Sequence, residues 1–126
     1  MGTGVNEKSG HNKKLGKDGE DLAARHLTNA GMTVLSRNWR CREGELDLVL
    51  TDGQRLVVCE VKTRSGDGFG TPAESVTAAK SQRIRRLANL WLSAHHVGWC
   101  VVRFDVIAVV WPASGQPRLT HFEDVF

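Results

Sequence analysis

The stretch that most constrains this chain runs from Gly44 to Arg64, GELDLVLTDGQRLVVCEVKTR. Leu46, Leu48 and Leu50 alternate with Glu45, Asp47 and Val49, the period of a strand with one apolar face. Asp52-Gly53 follows, a pair that tolerates the positive φ angles of a tight hairpin turn. Leu56–Val61 is then almost continuously apolar, as expected of a strand buried on both faces. Yet this strand carries Glu60 and leads into Lys62, and burying charge is costly unless it is paired or bound to a metal. That conflict is the strongest functional signal in the sequence.

A turn centred on Asp52-Gly53 predicts a register in which Leu50 faces Arg55, Asp47 faces Val58 and Glu45 faces Glu60. Opposed residues share a sheet face, and so do residues two apart on one strand, so Glu45, Asp47, Glu60 and Lys62 are expected on one side. Asp47 and Glu60 become diagonal neighbours, roughly 7–8 Å apart at the backbone. A hard cation with oxygen ligands at about 2.0–2.1 Å fits between their carboxylates. A slip of one residue would send Asp47 to the other face and remove the site.

A length of 126 residues suits one domain with a single core. Seventeen basic against 14 acidic side chains give a formal charge of +3, which permits a nucleic-acid partner without demanding one. The cysteines, Cys41, Cys59 and Cys100, are odd in number, lack metal-site spacing and follow no signal peptide, so reduced thiols in a cytoplasmic protein are expected. No apolar run approaches the ~20 residues of a membrane span, so no membrane partner is expected.

Residues 1–13 lack apolar periodicity and read as a flexible tail, leaving 14–126 as the domain. From about Lys14 to Ala30 the pattern is helical, with Leu15, Leu22, Ala23, Leu27 and Ala30 on the apolar face and Gly31 ending it. Glu20 lies two turns before Leu27 and should lean toward the core, while Gly16 and Gly19 allow backbone or ligand to approach closely. A first-turn acid favoured by the helix dipole is the plainer account of Glu20.

Thr33–Arg40 reads as a first strand leading through Arg37, Arg40 and Arg42 to Gly44; edge charges in solvent account for these arginines. Ser65–Gly70 is a glycine-rich loop without the Gly-Lys-Ser/Thr of a phosphate cradle, and Pro72–Val76 suits one short turn. Thr77 is the expected N-cap of a helix from Ala78 to about Ser93, with Ile84, Leu87, Ala88, Trp91 and Leu92 as its buried stripe. Lys80, Arg83, Arg85 and Arg86 crowd its first two turns, against the helix dipole. A phosphate backbone and a plainly solvated face explain that crowding equally well. His95-His96 reads as a loop pair rather than a metal site. Trp99–Trp111 is a long strand, interrupted by a same-face Arg103–Asp105 pair, and Arg118–Phe122 returns as an edge strand.

The order αβββαββ implies an α/β fold, a mixed central sheet flanked by helices. That order, with Asp47 … Glu60-Val61-Lys62, resembles the restriction-endonuclease-like, PD-(D/E)XK nuclease superfamily. Gly16-Lys-Asp-Gly-Glu20, Arg37-Asn38, Gly44-Glu-Leu-Asp47, Glu60-Val-Lys62, Val76-Thr77 with Lys80, and Arg103-Phe-Asp105 together resemble the YraN family. Those small bacterial proteins are related in sequence to archaeal Holliday-junction resolvases. The match covers nearly everything from Gly16 onward; Leu46 stands where the superfamily's name has Pro, and the N-terminal tail is unmatched.

The resemblance implies a Mg²⁺ (or Mn²⁺) ion held by Asp47, Glu60 and the carbonyl of Val61. Lys62 would then orient the attacking water and offset charge on the phosphorane. Glu20 would bind the metal through water or assist as a base, and Glu45 would tune the site or sit at its rim. Arg64, Lys80 and Arg83 are the expected contacts to the DNA backbone. The reading is a metal-dependent endonuclease on structured or branched DNA. The alternative is a non-catalytic nucleic-acid-binding module or adaptor in DNA repair or recombination. A third account makes the charges a buried ion pair, which leaves Glu20 and the second carboxylate unexplained. Whether two copies pair as a homodimer is left open by the sequence.

Overall fold

The structure is a computed structural model that describes residues 3–66 and 77–125. Its elements follow in the order α1 (Thr3–Asn29), β1 (Thr33–Cys41), β2 (Gly44–Thr51), β3 (Leu56–Arg64), α2 (Ala78–Ala94), β4 (Val102–Val110) and β5 (Arg118–Phe122). The five strands form one sheet in the spatial order β1-β2-β3-β4-β5. Three neighbours pair antiparallel, while β3 and β4 run parallel, joined by the crossover that contains α2. This is the expected mixed α/β order, consistent with a restriction-endonuclease-like core.

A central strand must satisfy both faces of the sheet, and β3 does so with a run of four fully buried residues. Leu56 and Val58 join the core under α2, with Ile84, Leu87, Ala88, Trp91, Leu92 and Phe104. Val57 and Cys59 join the core under α1, with Ala23, Ala24, Leu27, Ile107 and Val109. The helices therefore sit on opposite faces, each placed by an apolar stripe of its own.

The capping signals act where they were expected. Thr77 Oγ1 accepts the backbone N–H of Lys80 at 3.1 Å and opens α2, whose buried stripe is the one predicted. Gly31, at φ +98°, closes α1 in a conformation other residues avoid, with Met32 N donating to Leu27 O at 3.1 Å. α1 begins at Thr3 rather than near Lys14, so residues 3–13 of the segment read as a tail are helical. It has no proline, so nothing in it blocks helical hydrogen bonding. On the apolar face, Ala30 is exposed and Ala24 takes its place in the core. The glycine-rich loop and short turn expected over 65–76 fall largely outside the described residues.

The predicted hairpin register is corrected by two residues. Leu50 pairs with Val57 and Leu48 with Cys59, because the loop is four residues long rather than two. Asp52 builds it: its Oδ1 accepts the N–H groups of Gln54 (2.9 Å) and Arg55 (2.7 Å), and its Oδ2 the Nε of Arg55 (3.0 Å). An even shift preserves which face each residue serves, so the cost of the error is small.

The single apolar face predicted for β2 is also corrected. Leu46 packs under α2, whereas Leu48 and Leu50 pack under α1. Alternation breaks at Asp47, yet Glu45, Asp47, Glu60 and Lys62 all line one cavity on the α2 side. The neighbouring strand breaks with it: Arg37 pairs with Leu48 and Trp39 with Leu46, and Asn38 between them has φ +52°. Asn is among the few non-glycine residues that enter this region readily.

Candidate metal and nucleic-acid site

The break in alternation coincides with a parting of β2 from β3. Regular pairing runs from Thr51↔Leu56 to Leu48↔Cys59, and there two carboxylates take over from backbone carbonyls. Val61 N donates to Asp47 Oδ2 at 2.8 Å, and Asp47 N donates to Glu60 Oε2 at 3.2 Å. Each acid thus reaches across to the other strand, and one oxygen of each is held by a main-chain N–H.

Two cavities meet at this point. One, of about 430 Å³ on the α2 side, is lined by Glu60, Lys62, Lys80 and Arg83. The other, of about 870 Å³ on the α1 side, is lined by Glu20, Asp21, Arg37, Asn38 and Arg40. Glu45, Asp47 and Val61 border both. Asp47 is therefore the group through which the faces of the sheet communicate.

Charge in the parting is unbalanced. Burial, then repulsion from Asp47, pushes the Glu60 carboxyl up to about 8. Asp47 is also raised, by burial first and then by the charges of Glu20 and Glu45 against the lowering bond from Val61 N–H. Lys80 is held below the usual lysine range by burial and by its neighbour Lys62. Acids that resist ionisation where two of them meet are acids short of a cation.

Glu20 is 9% exposed and does turn toward the core. Its Oε1 accepts Asn38 Nδ2 at 2.7 Å and Arg37 NH2 at 3.4 Å, and Arg37 also bonds Asp21. Arg37 and Arg40 are thus paired, Arg40 with Glu45 at 3.0 Å, rather than merely solvated. Glu20 sits close enough to Asp47 to raise its pKa, but its contacts belong to the α1 cavity. Among the described residues, no three His, Cys, Asp or Glu side chains are grouped as a metal cage. Two carboxylates without a third suit Mg²⁺, which keeps several waters and relies on substrate phosphates for its remaining ligands. They do not suit a structural zinc site, which takes four protein ligands.

Lys62, Lys80 and Arg83 share the α2 cavity, whereas Arg64 is exposed and lines neither cavity. Arg103 and Asp105 form the expected pair, two-pronged at 2.9 and 2.7 Å and buried. His121 Nε2 lies 2.8 Å from Asp105, and Asp124 N donates to it at 3.0 Å, so this network anchors the C-terminal strand. Burial pushes the Asp105 carboxyl up, but the bonds from Arg103, Asp124 and His121 together hold it below the usual range. His95 stacks on Trp91 at 4.0 Å as the C-cap of α2, which accounts for it without metal.

Residue spacing alone did not reveal the hold of Asn38 on Glu20. The readable signal was an Asn in the middle of a strand, a residue type depleted there and tolerant of positive φ. The close approach expected at Gly16 and Gly19 is found at Gly19, where a Cβ would lie 2.0 Å from Thr63 Oγ1 of β3, and not at Gly16, where a Cβ meets nothing within 4 Å.

The chain is similar to known proteins over most of its length. Residues 19–109 match the uncharacterised protein family UPF0102. The chain belongs to that family. A UPF0102 protein of Frankia casuarinae is 55% identical over 112 residues, covering 89% of this chain and 95% of its own length. Those of Nocardia farcinica and Rhodococcus opacus are each 53% identical, covering 93% and 92% of this chain and 92% and 98% of their own. The matched family segment contains Glu20, Asp47, Glu60, Lys62, Lys80 and Arg83. No helix among the described residues is long and apolar enough to cross a membrane.

Proposed function

We propose that this UPF0102 protein is a metal-dependent endonuclease that hydrolyses phosphodiester bonds in structured or branched DNA. The observation that carries the reading is the pair of carboxylates crossing at the parting of β2 and β3, with Lys62 and Lys80 on the cavity beside them. A structural ion pair would not need two buried acids both held above the usual carboxylate range, Glu60 by burial and Asp47, and Asp47 by burial, Glu20 and Glu45. The preference for branched DNA rests on the resemblance to Holliday-junction resolvases.

Asp47 and Glu60, with the Val61 carbonyl, are the residues that would hold Mg²⁺ or Mn²⁺. That ion supplies polarisation of a phosphate oxygen and a more acidic bound water. Lys62 places an ammonium on the same cavity, able to orient a water and donate to phosphate oxygens as negative charge builds. Asn38 and Arg37 orient Glu20 behind Asp47 as an accessory acid or base. Arg83 and Arg64, with Lys80 on the cavity, are the groups that would meet DNA phosphates.

The basic side chains of Lys62, Lys80 and Arg83 on one cavity also suit a second reading, a non-catalytic DNA-binding module. Lys62→Met separates the two. It keeps most of the apolar stem and removes the charge, and should bind flap, fork and four-way-junction DNA as the parent does while cutting about 10²–10³ more slowly. Equal cleavage by parent and variant makes Lys62 structural. No cleavage by the parent with any divalent metal on any of these DNAs leaves the binding module.

A further inference from the structure

The basic residues of α2 divide into two kinds. Arg85 lies over the Phe104 ring at 5.1 Å, Arg86 pairs with Glu43, and Arg83 is exposed at the cavity's edge. Lys80 differs from all three. It is half-buried, and the Thr77 cap fixes the turn that carries it. Its side chain lines the α2 cavity together with Lys62 and Glu60.

An ammonium has donors and no acceptor, so two lysines this close repel unless an anion lies between them. Of the acids bordering this cavity, Glu45 pairs with Arg40, while Asp47 and Glu60, the residues that would hold the metal, each accept a main-chain N–H. No acid stands in the first turn of α2 to offset the crowding. Two adjacent ammoniums on separate elements, one from β3 and one from α2, form a fork whose natural occupant is a tetrahedral dianion or a phosphodiester in transit to one.

We propose that Lys80 is a further catalytic residue, which grips the reacting phosphate jointly with Lys62 rather than a flanking phosphate of the backbone. The inference rests on the nuclease reading of the same site. Hydrolysis forms one P–O bond to water and breaks one to the leaving sugar oxygen, with no change of oxidation state. Lys80 makes and breaks no bond in it. Its donors meet the non-bridging oxygens, whose charge rises at the transition state.

Lys80→Met, Lys80→Arg and Arg83→Ala separate this role from ordinary backbone binding. Cleavage of a four-way-junction DNA with Mg²⁺ is followed beside the salt dependence of binding to a plain duplex in chelator. The melting temperature of each variant checks its fold. Lys80→Met should cut about 10²-fold more slowly with an unchanged salt slope, and Lys80→Arg should recover part of the rate. Arg83→Ala should lower the slope by about 0.9. Acetylation of the parent with and without four-way-junction DNA in Ca²⁺, chosen to seat the reacting phosphate without cutting it, should show Lys62 and Lys80 protected together by mass spectrometry. A cutting parent with an equally fast Lys80→Met, or a slope that falls by about 0.9 in Lys80→Met, overturns this proposal alone. DNA that protects Lys62 but leaves Lys80 reactive does the same. A parent that cuts nothing overturns both this proposal and the nuclease reading.

Discussion

Gly19 is the tightest point between α1 and the sheet, and it tests the fold and the site together. A Cβ built there lies 2.0 Å from Thr63 Oγ1, 2.8 Å from its Cγ2 and 2.9 Å from its Cβ. Ordinary contact begins near 3.4 Å, so Gly19→Ala leaves a deficit of about 1.4 Å to the hydroxyl. Rotating Thr63 moves Oγ1 and Cγ2 away but leaves its Cβ, which only backbone movement relieves. The helix must therefore lift off β3 by about half an ångström or more. Overpacking of this kind costs about 1–3 kcal/mol. Against it stands a helix-propensity gain of about 1 kcal/mol for replacing Gly by Ala. Gly16 supplies the control, because a Cβ there meets nothing within 4 Å. Gly16→Ala should gain up to about 1 kcal/mol, and the two variants should differ by about 1–3 kcal/mol. Urea unfolding followed by tryptophan fluorescence would separate their midpoints by roughly 0.5–2 M at equal slope. Equal midpoints would show that α1 does not press on Thr63, and the placement of Glu20 beside Asp47 would lose its support.

The pH dependence of stability without metal follows from Glu60. Its carboxyl rises from 4.5 to about 8, so between those values the folded protein holds a proton the unfolded chain has released. Unfolding free energy therefore falls as pH rises through this window, and Glu60→Gln should flatten that fall. Asp21, Asp52 and Asp105 are lowered from 3.8, so they act below the window; a parent as stable at about pH 8 as at about pH 5 refutes the assignment. Mg²⁺ or Mn²⁺ should raise the melting temperature of the parent, because only the native state brings the two acids together, and Asp47→Asn should abolish the rise. A rise that persists in that variant places the ion elsewhere. Three phosphate contacts, from Arg64, Lys80 and Arg83, would each add roughly −0.9 to the salt slope on duplex DNA; with Lys80 kept for the reacting phosphate, two remain. Arg83→Ala should lower that slope by about one unit without changing metal affinity, and an unchanged slope returns Arg83 to solvent.

What sequence alone determined is what neighbouring residues decide among themselves. The Thr77 cap, the stripe from Ile84 to Leu92, the stop at Gly31 and the strand Arg118–Phe122 were all legible, because helical period, capping oxygens and positive φ act over a few residues. The charged residues in β3 were legible as an anomaly for the same reason. The hairpin register was not, since Asp52 chose a four-residue loop through its own side chain where Asp-Gly alone suggested two. Tertiary structure decided the rest. The reversal of alternation at Asn38 and Asp47 needs both strands at once, and the hold of Asn38 on Glu20 needs α1 laid across them. The placing of Lys62 and Lys80 on one cavity depends on where a parallel crossover sets α2 down, a long-range packing outcome that no local window contains.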